Sequence, residues 1–424
     1  MLGESTSRFP AQLASYWRSQ GMKVALVTYN PEALPSLPDG TQIIRSCDHE
    51  TRLNRSINYC LFNPILHGLE RTVPRFKERF SRITGVSADS ELRLPYFASY
   101  VTNAWPTARA AMSLHPRFVF GHEVTTYGLA TALCRGVPRI IFPWGGDVFT
   151  YAESSPYHLA LTKVSLWAAD LIVPSSTTAA HHICERFGVS PKKVHAISWG
   201  VDRQLFKRAD ADLRKASRTR WKIAPEATVF LNARRFHPAW GGLTALEAFI
   251  RLASEYPGTH FIFLGGRGSE RFIQPAKARL EKAGLLSRFT LLDGDSPLEI
   301  CAELMSISDV FVSLLGLGDM RSVSVLQAAA AGGAPIISDS AEYREMERLG
   351  FSAMFVKPDS VEDVLGALRF YVDNPEKARE IVARNEGYLA EHEDYARQMD
   401  KLFGLINEVC GRYEHGRSAG EFGG

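Results

Sequence analysis

The feature that most limits the fold of this 424-residue chain is an alternation of short apolar runs with longer segments of helical periodicity. Runs of this kind, bounded by Gly, Pro, Asp and Ser, are typical of parallel strands buried on both faces. Strand and helix in alternation predict βαβ units and a doubly wound α/β sheet. The predicted strands are Lys23–Tyr29, Phe118–Phe120, Arg139–Pro143, Leu171–Pro174, Thr228–Asn232, His260–Leu264, Arg288–Leu292, Val310–Leu314 and Pro335–Ser338.

The strands form two series, which predict two domains. We expect an N-terminal domain over residues 1–205, a C-terminal domain over 206–385, and a last helix with a frayed tail over 386–424 that packs back toward the first domain. Helical periodicity covers Arg8–Gly21, Tyr127–Cys134, Thr177–Phe187, Val361–Asn374 and Ala378–Cys410. Only Met1–Gly3 remains for a strand before the first helix, so either that strand is truncated or the first domain is unusual.

Composition excludes several classes of protein. Hydrophobic residues make up 45% and charged residues 22%, which excludes a mainly disordered, collagen-like or coiled-coil chain. The longest apolar stretches fall short of the ~18–20 residues that a membrane span needs. The first residues lack a basic segment followed by an apolar core, so we expect no secretory signal and a cytoplasmic protein. A net charge of +3 is too small to require a nucleic-acid partner.

The cysteines and histidines do not predict a metal site. Cys47, Cys60, Cys134, Cys184, Cys301 and Cys410 are scattered without a CxxC pair, which is typical of buried thiols in a reducing compartment. The 12 histidines form no HExxH pattern, and adjacent His181 and His182 cannot share one helix face. We therefore expect neither a metal nor a cofactor.

Four segments in order carry a resemblance to a known family. They are FPWGGDV (Phe142–Val148), LIVPSSTTAAHHICERFGVSPKKVHAISWGVDRQLF (Leu171–Phe206), FLNARRFHPAWGGLTALEAF (Phe230–Phe249) and LGDMRSVSVLQAAAAGGAPIIS (Leu317–Ser338). Together they resemble the retaining GT-B glycosyltransferases of the family-4 type. The resemblance implies two Rossmann-like, doubly wound domains that face each other across a cleft holding the active site.

The last of these segments predicts a diphosphate site. A helix opens near Ser322, and the first N–H groups of a helix have no backbone partner and carry a partial positive charge. Ser322 and Val323 would therefore bind a diphosphate without a metal. The family holds its donor with two glutamates eight positions apart, and the resemblance places Asp319 on the sugar and Gln327 on the ribose. The alternative is that Gln327 merely lies at a helix edge.

Other donor-binding residues follow strands of the second domain. Arg234 and Arg235 come directly after a strand, where a guanidinium faces the ligand crevice and suits phosphate, with Arg234 slightly preferred. The family pairs its arginine with a lysine, in whose place this chain has Ala239 and Trp240, and His237 or Arg321 would supply the second charge. A solvated arginine pair is the alternative. By resemblance, loops that line the nucleotide carry Gly265 and Asp293.

The first domain offers candidates on the acceptor side. Gly145 and Gly146 allow close backbone approach to a ligand, and Asp147 would present a carboxylate to sugar hydroxyls. Trp144 stands where the family has a histidine; it either stacks on a sugar or packs in the core. His122 and Glu123 follow a strand and would face the same cleft, although a lone histidine is more often structural. By this reading the catalytic group is Asp319, Arg234, Asp147 and His122.

The segment Arg71–Gly85 is basic and carries two aromatic residues. It holds four arginines and one lysine, and Phe76 and Phe80 share one helix face. Such a patch predicts peripheral contact with an anionic membrane through Arg71–Arg82, while an ordinary solvated helix is the alternative.

Two classes of function remain open. The first is an enzyme that moves a sugar from a nucleotide-diphosphate sugar, UDP-sugar favoured over GDP-sugar, to a hydroxyl of a glycan or lipid-linked acceptor with retention, in polysaccharide or glycoconjugate synthesis. The second is a catalytically inactive partner subunit that binds a sugar nucleotide. An epimerase or a phosphorylase is a weaker third class.

Overall fold

The computed structural model of the chain describes residues 1, 8–28, 41–45, 95–234, 241–265, 270–292, 296–314 and 321–421. The chain forms two compact units. Unit 1 comprises residues 1–197 together with 399–424, and unit 2 comprises residues 198–398. Each unit is an α/β structure with parallel strands, which confirms the fold class that the strand–helix alternation predicts.

Unit 2 contains a parallel sheet of six strands within the described residues, in the order β11-β10-β9-β6-β7-β8. Its strands are β6 Thr228–Asn232, β7 Thr259–Phe263, β8 Phe289–Leu291, β9 Val310–Ser313, β10 Ala334–Ser338 and β11 Met354–Val356. In register, Asn232 of β6 pairs with Phe263 of β7 on one side and with Val312 of β9 on the other. The chain reverses its direction of winding between β6 and β9, as in a doubly wound fold.

Helices cover both faces of this sheet. Phe230, Phe261 and Phe263 pack in one apolar cluster, while Leu231 and Ile262 pack in a second cluster. Because successive side chains of a strand point to opposite faces, this alternation shows that the sheet is buried on both sides. The helices are α6 Ala211–Arg220, α7 Gly242–Glu255, α8 Glu270–Lys282, α9 Leu298–Ser306, α10 Val323–Ala330, α11 Ala341–Arg348, α12 Val361–Asp373 and α13 Pro375–His392.

Unit 1 has the same strand–helix alternation over a smaller described part. Strand β1 Ala25–Thr28 pairs with β2 Gln42–Arg45, and the strands β3 Val119–His122, β4 Arg139–Phe142 and β5 Leu171–Ile172 form a second parallel set. The amino group of Met1 donates a hydrogen bond to Ala25 O, and Met1 O accepts one from Val27 N, both at 2.9 Å. This is the pattern of a parallel neighbour of β1. Its helices are α1 Arg8–Ser19, α2 Pro95–Met112, α3 Thr126–Leu133, α4 Pro156–Ala168, α5 Thr177–Phe187 and α14 Tyr395–Glu421, which begins in unit 2.

The C-terminal helix α14 is fixed to unit 1 by side-chain contacts. Arg117 donates to Asn407 Oδ1 at 3.1 Å and forms an ion pair with Glu414 at 3.3 Å. Tyr413 OH donates to Asp170 Oδ2 at 2.8 Å, and Asp170 also holds Arg139 of β4. These contacts are why residues 399–424 belong to unit 1 although they follow unit 2 in the chain.

The structure differs from the sequence expectations at the C-terminal helices. One helix over Ala378–Cys410 was the expectation, and the structure divides it into α13 and α14 at Glu393–Asp394. Glu393 is 1% exposed, and its carboxylate accepts from Ser198 Oγ and from Tyr388 OH. The break is therefore fixed by tertiary hydrogen bonds, which local periodicity does not report.

The boundaries between the two units lie at other residues than those expected from the sequence. Unit 2 begins at Ser198, earlier than the boundary at residues 205 and 206, and unit 1 resumes at Met399, later than residue 386. The chain crosses from unit 1 into unit 2 at Ser198 and back into unit 1 at Met399. Near these two crossings, Val201 N donates to Glu393 O at 2.7 Å, so the two crossing segments are hydrogen-bonded to each other inside unit 2. The strands β2 and β11 lie outside the predicted set. Among the helices of the described residues, none combines the length and apolar character that a bilayer crossing requires.

Candidate functional site

The carboxyl ends of β6 and β9 form the place in unit 2 where a ligand is expected. In doubly wound sheets ligands bind outside the carboxyl ends of the strands, where the strand order reverses. In unit 2 this reversal lies between the neighbouring strands β6 and β9. We call this region the switch edge; it comprises Asn232 and Arg234 after β6, Ser313 at the end of β9, and Ser322 and Val323 at the start of α10.

Arg234 is held in place through its backbone by the residue that ends β6. Asn232 is fully buried, and its Oδ1 accepts from Arg234 N at 2.8 Å. The Nδ2 of Asn232 and the hydroxyl of Ser313 are buried, and neither has a hydrogen-bond partner among the described residues. Buried polar groups are normally paired, so such groups at adjacent strand ends favour a polar ligand there.

The first turn of α10 presents backbone N–H groups at the switch edge. Ser322 is the N-cap residue, and its side chain makes no capping hydrogen bond; its hydroxyl pairs with that of Ser324 at 2.8 Å. The partly buried residues Val323 and Ser324 lie four and three positions before Gln327, so the three share one face of the helix. The start of α10 and Gln327, both predicted to bind the donor, thus belong to one partly exposed surface.

Two glycines allow the backbone to come close at this edge. Gly241, the N-cap residue of α7, has φ +66°, and a Cβ built there would lie 2.5 Å from Leu314 Cβ. The start of α7 therefore packs against the end of β9 in a way that only glycine permits. Gly265 follows β7, is buried, and has φ +61°, so its loop also needs a left-handed residue.

The guanidinium of Arg321, which the sequence predicts to bind phosphate, is hydrogen-bonded to Glu393 and Tyr388 in this structure. Its guanidinium donates to Glu393 Oε1 at 3.0 Å and to Tyr388 OH at 3.4 Å, and its side chain is 7% exposed. Burial by itself would lower the pKa of Arg321, and the carboxylate of Glu393 more than offsets that effect. The structure therefore places Arg321 in a buried ion pair directly before α10, and its contact with phosphate stays a prediction.

Several predicted residues lie outside the described residues. These are Asp319, Arg235, His237 and Asp293, together with the basic segment Arg71–Arg82. Their roles stay predictions.

In unit 1, Asp147 organises two loops. Its carboxylate accepts from Val124 N at 2.8 Å, from Gly145 N at 2.8 Å and from Trp144 N at 3.0 Å. Burial raises the pKa of Asp147 above its ordinary value, and these N–H groups partly offset the shift. Since a carboxylate has about four acceptor sites, backbone donors fill most of them. The structure thus shows Asp147 joining two loops through backbone hydrogen bonds, and its contact with a sugar stays a prediction.

The neighbouring glycines and Glu123 shape the same loops. Gly145 has φ +110°, which favours glycine, while Gly146 is only partly buried. Glu123 has φ +75°, an unusual conformation for a residue with a side chain, and its carboxylate accepts from Thr125 Oγ1 and from Tyr127 N. Glu123 thus caps the start of α3, which differs from the acceptor-side role that its position predicts.

His122 is a core residue in this structure. It is fully buried, its ring lies 5.1 Å from Phe120 and 6.3 Å from Trp144 between centroids, and its Nε2 lies 3.3 Å from Met1 Sδ. Burial, with a smaller effect of the Met1 amino group, lowers the pKa of His122 to about 3. His122 thus lies in the core of unit 1 in this structure, and the catalytic role assigned to it from the sequence stays a prediction. Trp144 stays half-buried beside it.

Sequence reasoning missed Asn232, Ser313 and Glu393. A signal for the first two was available, because each is a polar residue that ends an otherwise apolar strand. Glu393 gives no such signal, since its partners Ser198 and Arg321 are distant in sequence. Among the described residues no cluster of three or more His, Cys, Asp and Glu is arranged to hold a metal ion.

Two family models match successive parts of the chain. The model "Glycosyltransferase Family 4" matches residues 6–205, and "Glycosyl transferases group 1" matches residues 214–387. A D-inositol 3-phosphate glycosyltransferase of Rhodococcus erythropolis is 23% identical over 259 residues, which cover 60% of this chain and 57% of that protein. The chain therefore spans a little over half the length of that relative.

Solved structures of similar fold cover nearly the whole chain. Sucrose-phosphate synthase from Thermosynechococcus elongatus has a TM-score of 0.70 at 14% identity and covers 95% of this chain and 92% of its own. Anabaena HepE in complex with UDP and glucose has a TM-score of 0.69 at 12% identity, covering 96% and 98%. Both are GT-B folds with two Rossmann-like domains, and both units of this chain are α/β structures with parallel strands. With both family models matched in chain order, this chain belongs to the GT-B glycosyltransferases of the group 1 and family 4 type.

Proposed function

We propose that this protein transfers a sugar from a UDP-sugar to an acceptor hydroxyl, with retention of configuration at the sugar carbon. The observation that carries the proposal is the switch edge, where Arg234, the N–H groups of α10 and two buried polar groups of Asn232 and Ser313 lie at the ligand-binding end of the sheet. Uridine is favoured because the similar Anabaena structure was solved with UDP and glucose.

The proposed chemistry needs electrostatic stabilisation at one place. As the bond between the sugar carbon and the diphosphate oxygen breaks, negative charge develops on the leaving diphosphate. Arg234 and the backbone N–H groups at the start of α10 stabilise that charge, because both are cationic or partly positive donors fixed before the reaction. The acceptor oxygen forms its new bond on the face that the diphosphate leaves, and the departing phosphate oxygen takes the acceptor proton. Asp319 is proposed to hold the sugar.

The first experiment is isothermal titration of UDP, GDP and ADP into the purified full chain. We expect UDP to bind most tightly. The matching nucleotide sugars then follow with a hydrolysis readout, and repeating both with EDTA tests whether a metal is needed. Equal affinity for all three diphosphates would contradict the preference for uridine, and no binding of any would contradict the donor site.

Arg234→Ala is the sharpest single change. Loss of a charge-assisted hydrogen bond to phosphate should weaken UDP binding by about tenfold or more. Uridine binding should change little, because uridine has no phosphate. Arg348→Ala, an exposed position on α11, is the matched control. A UDP affinity that is unchanged in Arg234→Ala while the control also binds normally would remove the phosphate role from Arg234.

A catalytically inactive sugar-nucleotide-binding subunit is the second candidate function. The observation in its favour is that Arg321 is engaged by Glu393, which leaves the diphosphate with one cation fewer than the sequence predicts. UDP-sugar binding without hydrolysis or transfer to any acceptor would support this function over the enzyme.

The acceptor is proposed to be a glycan or a lipid-linked saccharide, with contact of Arg71–Arg82 to the inner face of a membrane. The names of similar proteins, a D-inositol 3-phosphate glycosyltransferase and a sucrose-phosphate synthase, suggest a panel of acceptors with inositol 3-phosphate and sugar phosphates. Flotation with vesicles of anionic and of neutral lipid tests the membrane contact, and equal recovery with both vesicles would contradict it.

A further inference from the structure

A polar cavity lies at the amino ends of the strands of the unit 2 sheet, opposite the switch edge. It has a volume of about 280 Å³ and is lined by the first residues of two central strands, Thr228 of β6 and Val310 of β9. The switch edge lies at the other end of these strands, beyond Asn232. A strand of this length spans roughly 13–16 Å, so the two regions are separate places on the sheet.

Four arginines line this cavity, which we call the arginine pocket. They are Arg208, Arg214, Arg218 and Arg379, and the only acidic residues among its lining are Asp309 and Glu226. Four positive charges against two negative charges leave an excess of two positive charges. An excess of this kind attracts a multiply charged anion.

Asp309 is already bound to two of the arginines. Its Oδ1 accepts from Arg214 Nη2 at 2.5 Å, and its Oδ2 accepts from Arg218 Nη2 at 2.9 Å and from Val229 N at 2.9 Å. The negative charge of Asp309 is thus paired with Arg214 and Arg218 at the wall of the pocket. Arg208 and Arg379 are exposed and form no ion pair with another described residue, so these two guanidiniums are available to a ligand.

Arg218 provides the buried part of the pocket. It is 3% exposed and donates to the carbonyls of Pro225, Ala227 and Ile307 at 2.6–3.0 Å. Its Nε is buried and has no hydrogen-bond partner among the described residues. A buried guanidinium N–H without an acceptor is costly, and an anion in the pocket would supply the acceptor.

The start of α13 adds to the positive potential. Pro375, Ala378 and Arg379, near the N-terminal end of this 18-residue helix, line the pocket. The aligned peptide dipoles of a helix give its N-terminal end a partial positive charge, which favours an anion there. Gly332, with φ +93°, lies against the aliphatic part of Arg208, since a Cβ built there would be 3.1 Å from Arg208 Cγ. The backbone there thus brings Arg208 to the pocket wall.

We propose that the arginine pocket binds a phosphate or diphosphate group of a small soluble ligand, at a site separate from the switch edge. Arg208 and Arg379 bind the outer oxygens, and Arg218 Nε donates to an inner one. This site does not depend on the proposed glycosyl transfer.

The test is isothermal titration of sodium pyrophosphate into the full chain, with and without saturating UDP. We expect pyrophosphate binding that persists with UDP present and that Arg208→Ala/Arg379→Ala weakens by about tenfold or more. Both side chains are exposed, so the double variant should fold normally, with unchanged UDP affinity. Arg203→Ala/Arg348→Ala, at exposed positions of the same unit outside the pocket lining, is the matched control.

Equal pyrophosphate affinity in the pocket double variant and the control would overturn the proposal, as would the absence of pyrophosphate binding to the original chain. Parallel titrations with inorganic phosphate and with glucose 6-phosphate identify the source of the group. Tighter binding of the sugar phosphate would show that the ligand extends beyond its phosphate, and tighter binding of pyrophosphate would identify a diphosphate ligand; either result supports the site if the double variant abolishes it.

Discussion

His122 shows how far burial changes the chemistry of a single side chain. It lies among Phe120, Phe142 and Trp144 with no exposed surface, and its pKa is lowered from 6.5 to about 3. The neutral ring is therefore the form that the folded unit accommodates. Between these two pKa values the unfolded chain binds a proton that the folded chain does not, so stability is present above the unfolded pKa and is lost as the pH falls.

The substitution His122→Asn, which removes the titrating ring, should reveal this effect. Relative to the variant, the free energy of unfolding of the original chain should fall as the pH is lowered from about 6.5 toward 3, by at most about 1.4 kcal/mol per pH unit. Urea unfolding of both proteins at a series of pH values measures the difference. His181→Asn at an exposed position is the control. A stability difference between the original chain and the His122→Asn variant that stays constant with pH would contradict the burial of a neutral ring.

Single residues also mark the limit of prediction from sequence. The FPWGGDV motif predicts that Asp147 contacts a sugar, and in the structure its carboxylate accepts hydrogen bonds from the backbone N–H groups of Val124, Trp144 and Gly145. Arg321 was expected at phosphate and is paired with Glu393. In both cases the residue type and its position after a strand could be read from the sequence. The partner that occupies the side chain could not, because it comes from a distant part of the chain.

At the scale of helices and strands, Gly241 decides how closely α7 approaches β9. Gly241→Ala should destabilise unit 2 by about 1–3 kcal/mol more than strain alone, because the new Cβ meets Leu314 at 2.5 Å. Gly284→Ala is a matched control, since Gly284 has φ +67° but open space around its Cβ position. It should cost only the strain of a left-handed alanine, about 1 kcal/mol. Urea unfolding measures both, and equal losses would show that the contact with Leu314 is not limiting.

The secondary structure was largely predictable because its signals are local. All nine predicted strands overlap observed ones, since buried parallel strands are apolar runs between turn residues. The misses have physical reasons. Strand β2 is only QIIR, and its first two residues, Gln42 and Ile43, are exposed, so it lacks a long apolar run. The break between α13 and α14 depends on Glu393, which is held by Ser198 and Tyr388.

At the scale of the whole molecule, Glu393 connects three parts of unit 2. It holds Ser198 where the chain enters the unit, Tyr388 on α13, and Arg321 directly before α10. Both crossings of the chain are bonded there, since Val201 N donates to Glu393 O and Tyr395 N donates to Val201 O. A substitution of Glu393 should therefore destabilise both crossing segments and the start of α10 together.

Glu393→Gln should destabilise unit 2 by about 3–5 kcal/mol, because it removes the carboxylate that pairs with the buried guanidinium of Arg321. Ser198→Ala removes one hydrogen bond and should cost about 1 kcal/mol. The double variant Arg321→Met/Glu393→Gln should be more stable than Glu393→Gln alone. Urea unfolding, with hydrogen exchange at Val201 and Tyr395, reports these effects. A double variant no more stable than the single one would show that the two charges are not coupled.

The pairing of the two crossings also has a consequence for the order in which the protein can be built. Unit 2 is one continuous stretch, while unit 1 needs residues from both sides of it, including the α14 residues that bond to Arg117 and Asp170. On a ribosome, a nascent chain completes unit 2 before the last helix of unit 1 has emerged. The first unit to be started is thus the last to be finished, and until then its surface around Arg117 is exposed to chaperones and proteases.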